Sequence, residues 1–188
     1  MRLLLIDNYD SFTWNLFQLL KKAGVERIEV VKNDHFIQEQ LDEADTLVFS
    51  PGPGLPSQAG LMNKIIALYA GSKRMLGVCL GHQAIGEVFG AQMVHSGSVF
   101  HGTSTPLQII GHDRIFNNIP QNTLVGRYHS WIVSREKFPE PLLVTAIDAQ
   151  GNIMAMRHKE FDITGVQFHP ESFMTPLGLE MIRNWIGG

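Results

Sequence analysis

Arg74-Met75-Leu76-Gly77-Val78-Cys79-Leu80-Gly81-His82-Gln83 is the stretch on which the fold turns. Residues 74–78 form a short strand-like run, and residues 81–89 carry apolar side chains at helical spacing. Between them lies Gly-x-Cys-x-Gly, a form that seats a nucleophile on a tight turn from strand to helix. The two glycines suit a turn with no room for Cβ atoms on either side. A thiol at Cys79 would stand at the positive end of the following helix, which favours thiolate. The backbone N–H of Leu80 would point at the oxyanion formed by attack. A buried structural cysteine between packing glycines is the competing reading of these five residues taken alone.

Upstream, the same alternation repeats. Residues 2–6, 27–31 and 46–49 are strand-like. Phe12, Leu16, Leu19, Leu20 and Ala23 follow helical spacing and stop at Gly24, a short helical piece covers 36–41, and 61–69 reads as a helix. This rhythm of strand and helix predicts an α/β fold, a mainly parallel sheet with helices on both faces. Downstream the pattern changes to short strands at 105–110, 123–127, 131–133, 142–147, 153–156 and 163–167. The last three follow closely enough for an antiparallel meander, with a turn at Asp148-Ala149-Gln150-Gly151. Residues 177–186, with Leu179, Ile182 and Ile186 on one face, read as a closing helix. The expectation is a single domain over residues 1–188 whose sheet gains antiparallel strands late in the chain.

Composition bounds the function classes. The chain has 188 residues, 44% hydrophobic and 18% charged, with a net charge of −3. Lys and Arg are scattered, so no electrostatic footprint for nucleic acid or an anionic membrane is present. The apolar runs are far too short to span a bilayer. The first residues resemble a signal peptide superficially, but Asp7-Asn8-Tyr9-Asp10 ends the apolar run too early. A cytoplasmic protein is expected. The single cysteine excludes an intrachain disulfide and gains meaning only from its surroundings.

A nucleophilic cysteine needs a base. Of the eight histidines, His169 follows the strand-like run 163–167 in Gln167-Phe168-His169-Pro170-Glu171-Ser172. Ligand sites of parallel sheets gather at strand ends. Glu171 stands where it can reach back to the imidazole, fix its tautomer and stabilise imidazolium. Alone, His-Pro-Glu is a surface turn; paired with Cys79, a triad is the better reading. Ser50-Pro51-Gly52-Pro53-Gly54 follows another strand and is stiff. Gly52 is its best candidate for a second N–H to the oxyanion, and a rigid turn without a ligand is an equal reading of this loop by itself. The loop lacks the Gly-Lys-Ser/Thr ending of a phosphate site. A zinc site of Cys79, His82 and His169 is disfavoured, since there is no second cysteine and no His-Glu-x-x-His spacing. No metal and no cofactor are expected.

The three blocks around Gly52, Cys79 and His169 resemble, in order and spacing, the class I glutamine amidotransferases, whose fold is flavodoxin-like. Asp7-Asn8-Tyr9-Asp10-Ser11-Phe12-Thr13 and Arg127-Tyr128-His129-Ser130 narrow the resemblance. They are similar to the small glutaminase subunits, component II, of anthranilate synthase and of aminodeoxychorismate synthase. The resemblance implies a triad of Cys79, His169 and Glu171 and an oxyanion hole from the backbones of Gly52 and Leu80. It implies a pocket for L-glutamine from Gly52, Pro53, Gly54 and Gln83, with backbone contacts from Ser130 and Trp131. Without that resemblance, Gln83 reads equally as a solvated helix residue and Trp131 as a core aromatic. His129 shapes the pocket in the family and is left out of the triad. Trp14 and Trp131 depart from the residues common there, outside the implied chemistry.

The implied activity is hydrolysis of glutamine to glutamate and ammonia. The ammonia would pass to a larger chorismate-binding synthase subunit, component I, with anthranilate synthase favoured over aminodeoxychorismate synthase. A γ-glutamyl hydrolase or other thiol hydrolase is the rival enzyme reading. A catalytically dead binding subunit is the other rival, disfavoured because all three triad residues are present.

Overall fold

The computed structural model describes residues 1–36, 38–97 and 99–187. The first half runs β1 (Arg2–Asp7), α1 (Thr13–Lys22), β2 (Arg27–Lys32), α2 (Gln38–Glu43), β3 (Thr46–Phe49), α3 (Met62–Tyr69), β4 (Arg74–Val78) and α4 (Leu80–Val88). The second half runs β5 (Met93–His95), β6 (Thr103–Ile109), β7 (Thr123–Arg127), β8 (Trp131–Val133), β9 (Leu142–Ile147), β10 (Ile153–His158), β11 (Ile163–Val166) and α5 (Gly178–Gly187). Nine of these strands form one sheet in the order β2-β1-β3-β4-β11-β10-β9-β6-β7. The first five are mutually parallel, and the rest are antiparallel. The fold is therefore α/β with a parallel core and late antiparallel strands, as expected.

Alternation along the parallel strands decides where the helices go. Leu4, Ile6, Leu47, Phe49 and Met75 project to one face, where residues of α3 and α4 cover them. Leu3, Leu5, Val48, Leu76 and Val78 project to the other, against α1 and α5. Strands buried on both faces read as continuous apolar runs, which is why 2–6 and 46–49 were legible without an alternating pattern.

Three details differ from the sequence expectations. The buried face of α5 is Gly178, Met181, Ile182 and Trp185, not Leu179, Ile182 and Ile186. Trp185 is wholly buried, and seating so large a ring turns the helix until only Ile182 of the expected stripe faces inward, with Ile186 at the margin. The short helix begins at Gln38 rather than Phe36, and Ile37 lies outside the described residues. Met93–His95 is an additional strand, paired antiparallel with β8. Three residues with no apolar alternation carry too little pattern to be read without their partner.

The parallel strands all end on one rim. Asp7-Asn8 leaves β1, Ser50–Gly54 follows β3, Cys79 follows β4, and Gln167-Phe168-His169 follows β11. Open parallel sheets bind ligands outside the carboxyl ends of their strands.

Candidate active site

Cys79 occupies a strained elbow. Its φ of 53° and ψ of −98° lie outside the regions a cysteine ordinarily adopts. The turn is held from three sides. The Cys79 N–H donates to the Val166 carbonyl at 2.8 Å, which ties the elbow to β11. A Cβ on Gly77 would fall 2.4 Å from the backbone of Gly81, and one on Gly81 would fall 2.5 Å from the Phe49 carbonyl. Both glycines are thus required by close packing of backbone on backbone. The elbow leaves Cys79 at the N-terminus of α4, where unpaired N–H groups and the helix dipole favour negative charge.

Register brings the second half of the site to the first. β11 pairs with β4 so that Val166 lies opposite Val78, and three residues later His169 arrives beside Cys79. The imidazole Nδ1 lies 2.7 Å from Glu171 Oε1, with both side chains buried. An ionised carboxylate only accepts, so Nδ1 carries the proton. Burial opposes charge on this ring, yet Glu171 and Cys79 together raise its pKa well above the ordinary histidine value. His169 Nε2, the ring nitrogen away from Glu171, is buried and has no hydrogen-bond partner among the described residues. The ring is wedged between Phe12 and Tyr128, at centroid distances of 5.1 and 4.9 Å. Its backbone is fixed by a bond from His169 N–H to the Gly126 carbonyl at 3.0 Å.

Gly52 packs against the start of α4. A Cβ there would lie 2.6 Å from both Asn8 Cβ and Leu80 Cδ2. The loop carrying it is anchored through Asn8, whose N–H donates to Ser50 Oγ and whose Nδ2 donates to the Ser50 carbonyl, each at 2.8 Å. Asn33 donates to Asn8 Oδ1 in turn. The anchoring role of Asn8 was missed from sequence, where Asp7–Thr13 served only as a family signature.

Gly52, Pro53, Gly54, Gln83, Ser130 and Trp131 line one cavity of about 250 Å³ together with Cys79. That volume lies below the range of drug-sized ligands and suits a single amino acid. Gln83 projects from α4, and its Nε2 donates to the Trp131 carbonyl at 2.8 Å and to Gln167 Oε1 at 3.1 Å. His129, also in the lining, is a poor base. Arg127 Nε donates to its Nε2 at 3.2 Å, which leaves Nδ1 to donate to the Trp131 carbonyl. Burial, helped by the charge of Arg127, drives its pKa down to about 3. Arg127 itself is wholly buried, paired with Asp148 at 2.7 Å and stacked on Phe100 at 3.6 Å. His82 is fully buried against Gly165, and burial pulls its pKa to about 4. Among the described residues, no three His, Cys, Asp or Glu side chains stand close enough to hold a metal ion. A larger cleft of about 360 Å³, lined in part by Arg114, Arg157 and Asp162, lies at the opposite end of β11 and has no cysteine in its lining.

Known proteins resemble this chain over nearly its whole length. The family model for glutamine amidotransferase class-I matches residues 4–187. The chain is 44% identical to aminodeoxychorismate/anthranilate synthase component 2 of Bacillus subtilis (strain 168), covering 98% of this chain and 95% of that protein. It is 42% identical to anthranilate synthase component 2 of Pseudomonas putida, covering 99% and 96%. Among solved structures, a Thermoplasma acidophilum protein described as a candidate GMP synthase subunit superposes with a TM-score of 0.88 at 27% identity, covering 100% of this chain and 92% of that one.

Proposed function

We propose, since this chain belongs to the class-I glutamine amidotransferase family, that Cys79, His169 and Glu171 are its catalytic triad. The chain is a glutaminase subunit of the anthranilate/aminodeoxychorismate synthase kind. The observation that carries the triad is the register that sets the ends of β4 and β11 side by side, so that Cys79 and His169 follow adjacent strands, with Glu171 on the ring's Nδ1.

The geometry suits acyl transfer through sulfur. Glutamine enters the 250 Å³ cavity with its amide carbon at the Cys79 sulfur. Thiolate attack turns the carbonyl oxygen into an oxyanion. The N–H of Leu80, in the first turn of α4 where helical partners are lacking, and that of Gly52 receive it. Each such donor is worth about 10²–10³ in rate. His169, protonated, gives its proton to the leaving nitrogen, and ammonia departs as the γ-glutamyl thioester forms. The neutral imidazole then takes a proton from water, hydroxide adds to the thioester, and glutamate leaves with the sulfur restored as thiolate and His169 as imidazolium. Glu171 holds the ring in the tautomer that this cycle needs. Gln83 holds the substrate, and the backbones of Ser130 and Trp131 contact its α-amino-acid end.

The ammonia is passed to a larger, chorismate-binding component 1, where it becomes the amino group of the product. Anthranilate synthase is the favoured partner, by likeness around Arg127–Trp131. The double name of the Bacillus subtilis relative keeps aminodeoxychorismate synthase as a second destination for the same chemistry. One amidotransferase unit over residues 1–188 and a cytoplasmic location fit this role. The continuous nine-stranded sheet supports the first. For the second, no helix of the described residues is long and apolar enough to cross a membrane.

The test is C79A in complex with component 1. Synthesis from glutamine is expected to vanish while synthesis from added ammonium is retained. Equal loss of both activities would assign Cys79 a structural role instead.

A further inference from the structure

Gln167 is wholly buried at the end of β11, and the mechanism above leaves it without work. Its Nε2 lies 3.6 Å from the Cys79 sulfur, with donor geometry. Its Oε1 is occupied, accepting from Gln83 Nε2 at 3.1 Å. Gln83 Nε2 is held in turn by the Trp131 carbonyl, and that carbonyl also receives His129 Nδ1. An amide has one accepting end and one donating end. With the oxygen committed to Gln83, the NH₂ of Gln167 has to present itself to the sulfur. Its backbone is pinned too, by donation from Gln167 N–H to the Met154 carbonyl at 2.9 Å.

We propose that Gln167 is a further catalytic residue, whose side-chain amide donates a hydrogen bond to the Cys79 sulfur and stabilises it as thiolate, both before attack and when the thioester breaks. This inference rests on the reading of Cys79 as nucleophile. A donor aimed at the charged form favours that form, and the effect is strong where water is excluded. The Gln83 link has a consequence for substrate. The amide that orients the donor also lines the glutamine cavity, so the geometry at the sulfur and the shape of the pocket are set by one chain of bonds.

The titratable groups around the sulfur are few. His169 with Glu171 forms the charged pair. His82 and His129 are neutral near pH 7, their pKa values lowered to about 4 and about 3. Arg127 is paired with Asp148.

The experiment uses the complex with component 1 and two variants, Q167M, which keeps length and removes the donor, and Q167E, which replaces it with an acceptor. Two readouts are taken: kcat and KM for glutamine, and the pH profile of Cys79 alkylation by iodoacetamide. Losing a hydrogen bond to a charged group predicts a fall in kcat of about 10- to 100-fold in both variants, with KM within about threefold for Q167E, which keeps an oxygen to accept from Gln83. It also predicts a rise of about one pH unit in the midpoint of alkylation, larger for Q167E than for Q167M. Co-elution of each variant with component 1 in size-exclusion chromatography reports that it is folded and assembled, and Q167E stands in if Q167M does not assemble. Alkylation profiles that superimpose on the parent's would overturn the proposal, whatever happens to kcat. A parent enzyme that is not alkylated at Cys79 would overturn the nucleophile reading itself, a distinguishable failure.

Discussion

At the scale of the residue, Glu171 makes the sharpest prediction. Its carboxylate orients His169 and, with Cys79, raises the pKa of the ring above the ordinary value. E171Q keeps the shape and removes the charge. It should cost at least about tenfold in kcat for glutamine with KM nearly unchanged. The pH dependence has a definite sign. A histidine with a raised pKa contributes stability that is complete below the unfolded value of about 6.5 and is lost as pH rises through the folded one. The stability gap between parent and E171Q, from urea midpoints, should be widest near pH 6 and narrow as pH rises. A gap independent of pH would remove the charged pair from the account. Cys79, His169 and Glu171 could be proposed from the sequence because the chemistry demands particular residue types beside glycines and strand ends. Gln167 and Asn8 were not. A lone amide at a strand end has no pattern of its own, and each acquires its partner, Cys79 or Ser50, only when distant strands pair.

At the scale of the element, the elbow is a strand and a helix pressed together through glycine. Gly77 and Gly81 are placed so that neither tolerates a methyl group, since the nearest backbone atoms are 2.4 and 2.5 Å from where a Cβ would lie. G77A should destabilise the protein by roughly 3 kcal/mol or more, because rigid backbone rather than a flexible side chain has to move. G187A, in open space, is the control and should change stability by no more than about 0.5 kcal/mol. Comparable denaturation midpoints for the two would mean that the elbow can relax. The strands of this region were readable because burial on both faces makes them short continuous apolar runs. The face of α5 was misread because apolar spacing alone could not show that Trp185 and Met181, rather than Leu179 and Ile186, fill the groove. The short strand β5 was invisible, since its existence depends on pairing with β8.

At the scale of the whole molecule, function depends on one placement. β11, the last strand in sequence, inserts beside β4 in the middle of the sheet, while β6 and β7 lie at its edge. The α/β class and the late antiparallel meander were legible from alternation and spacing. The insertion was not, because strand order is decided by which edges are free when the chain returns, and no local pattern records that. Its result is that Cys79 from the first half and His169 from the second follow neighbouring strand ends, with Cys79 lining a cavity that fits one amino acid. The central claim is that this cavity runs glutamine hydrolysis through a covalent bond to sulfur. The direct measurement is rapid acid quench of the complex with component 1 during turnover of glutamine, followed by peptide mass spectrometry. The account predicts a γ-glutamyl adduct on the peptide carrying Cys79, absent from C79A. Steady glutamine turnover with no adduct at Cys79, or with an adduct elsewhere, would contradict it.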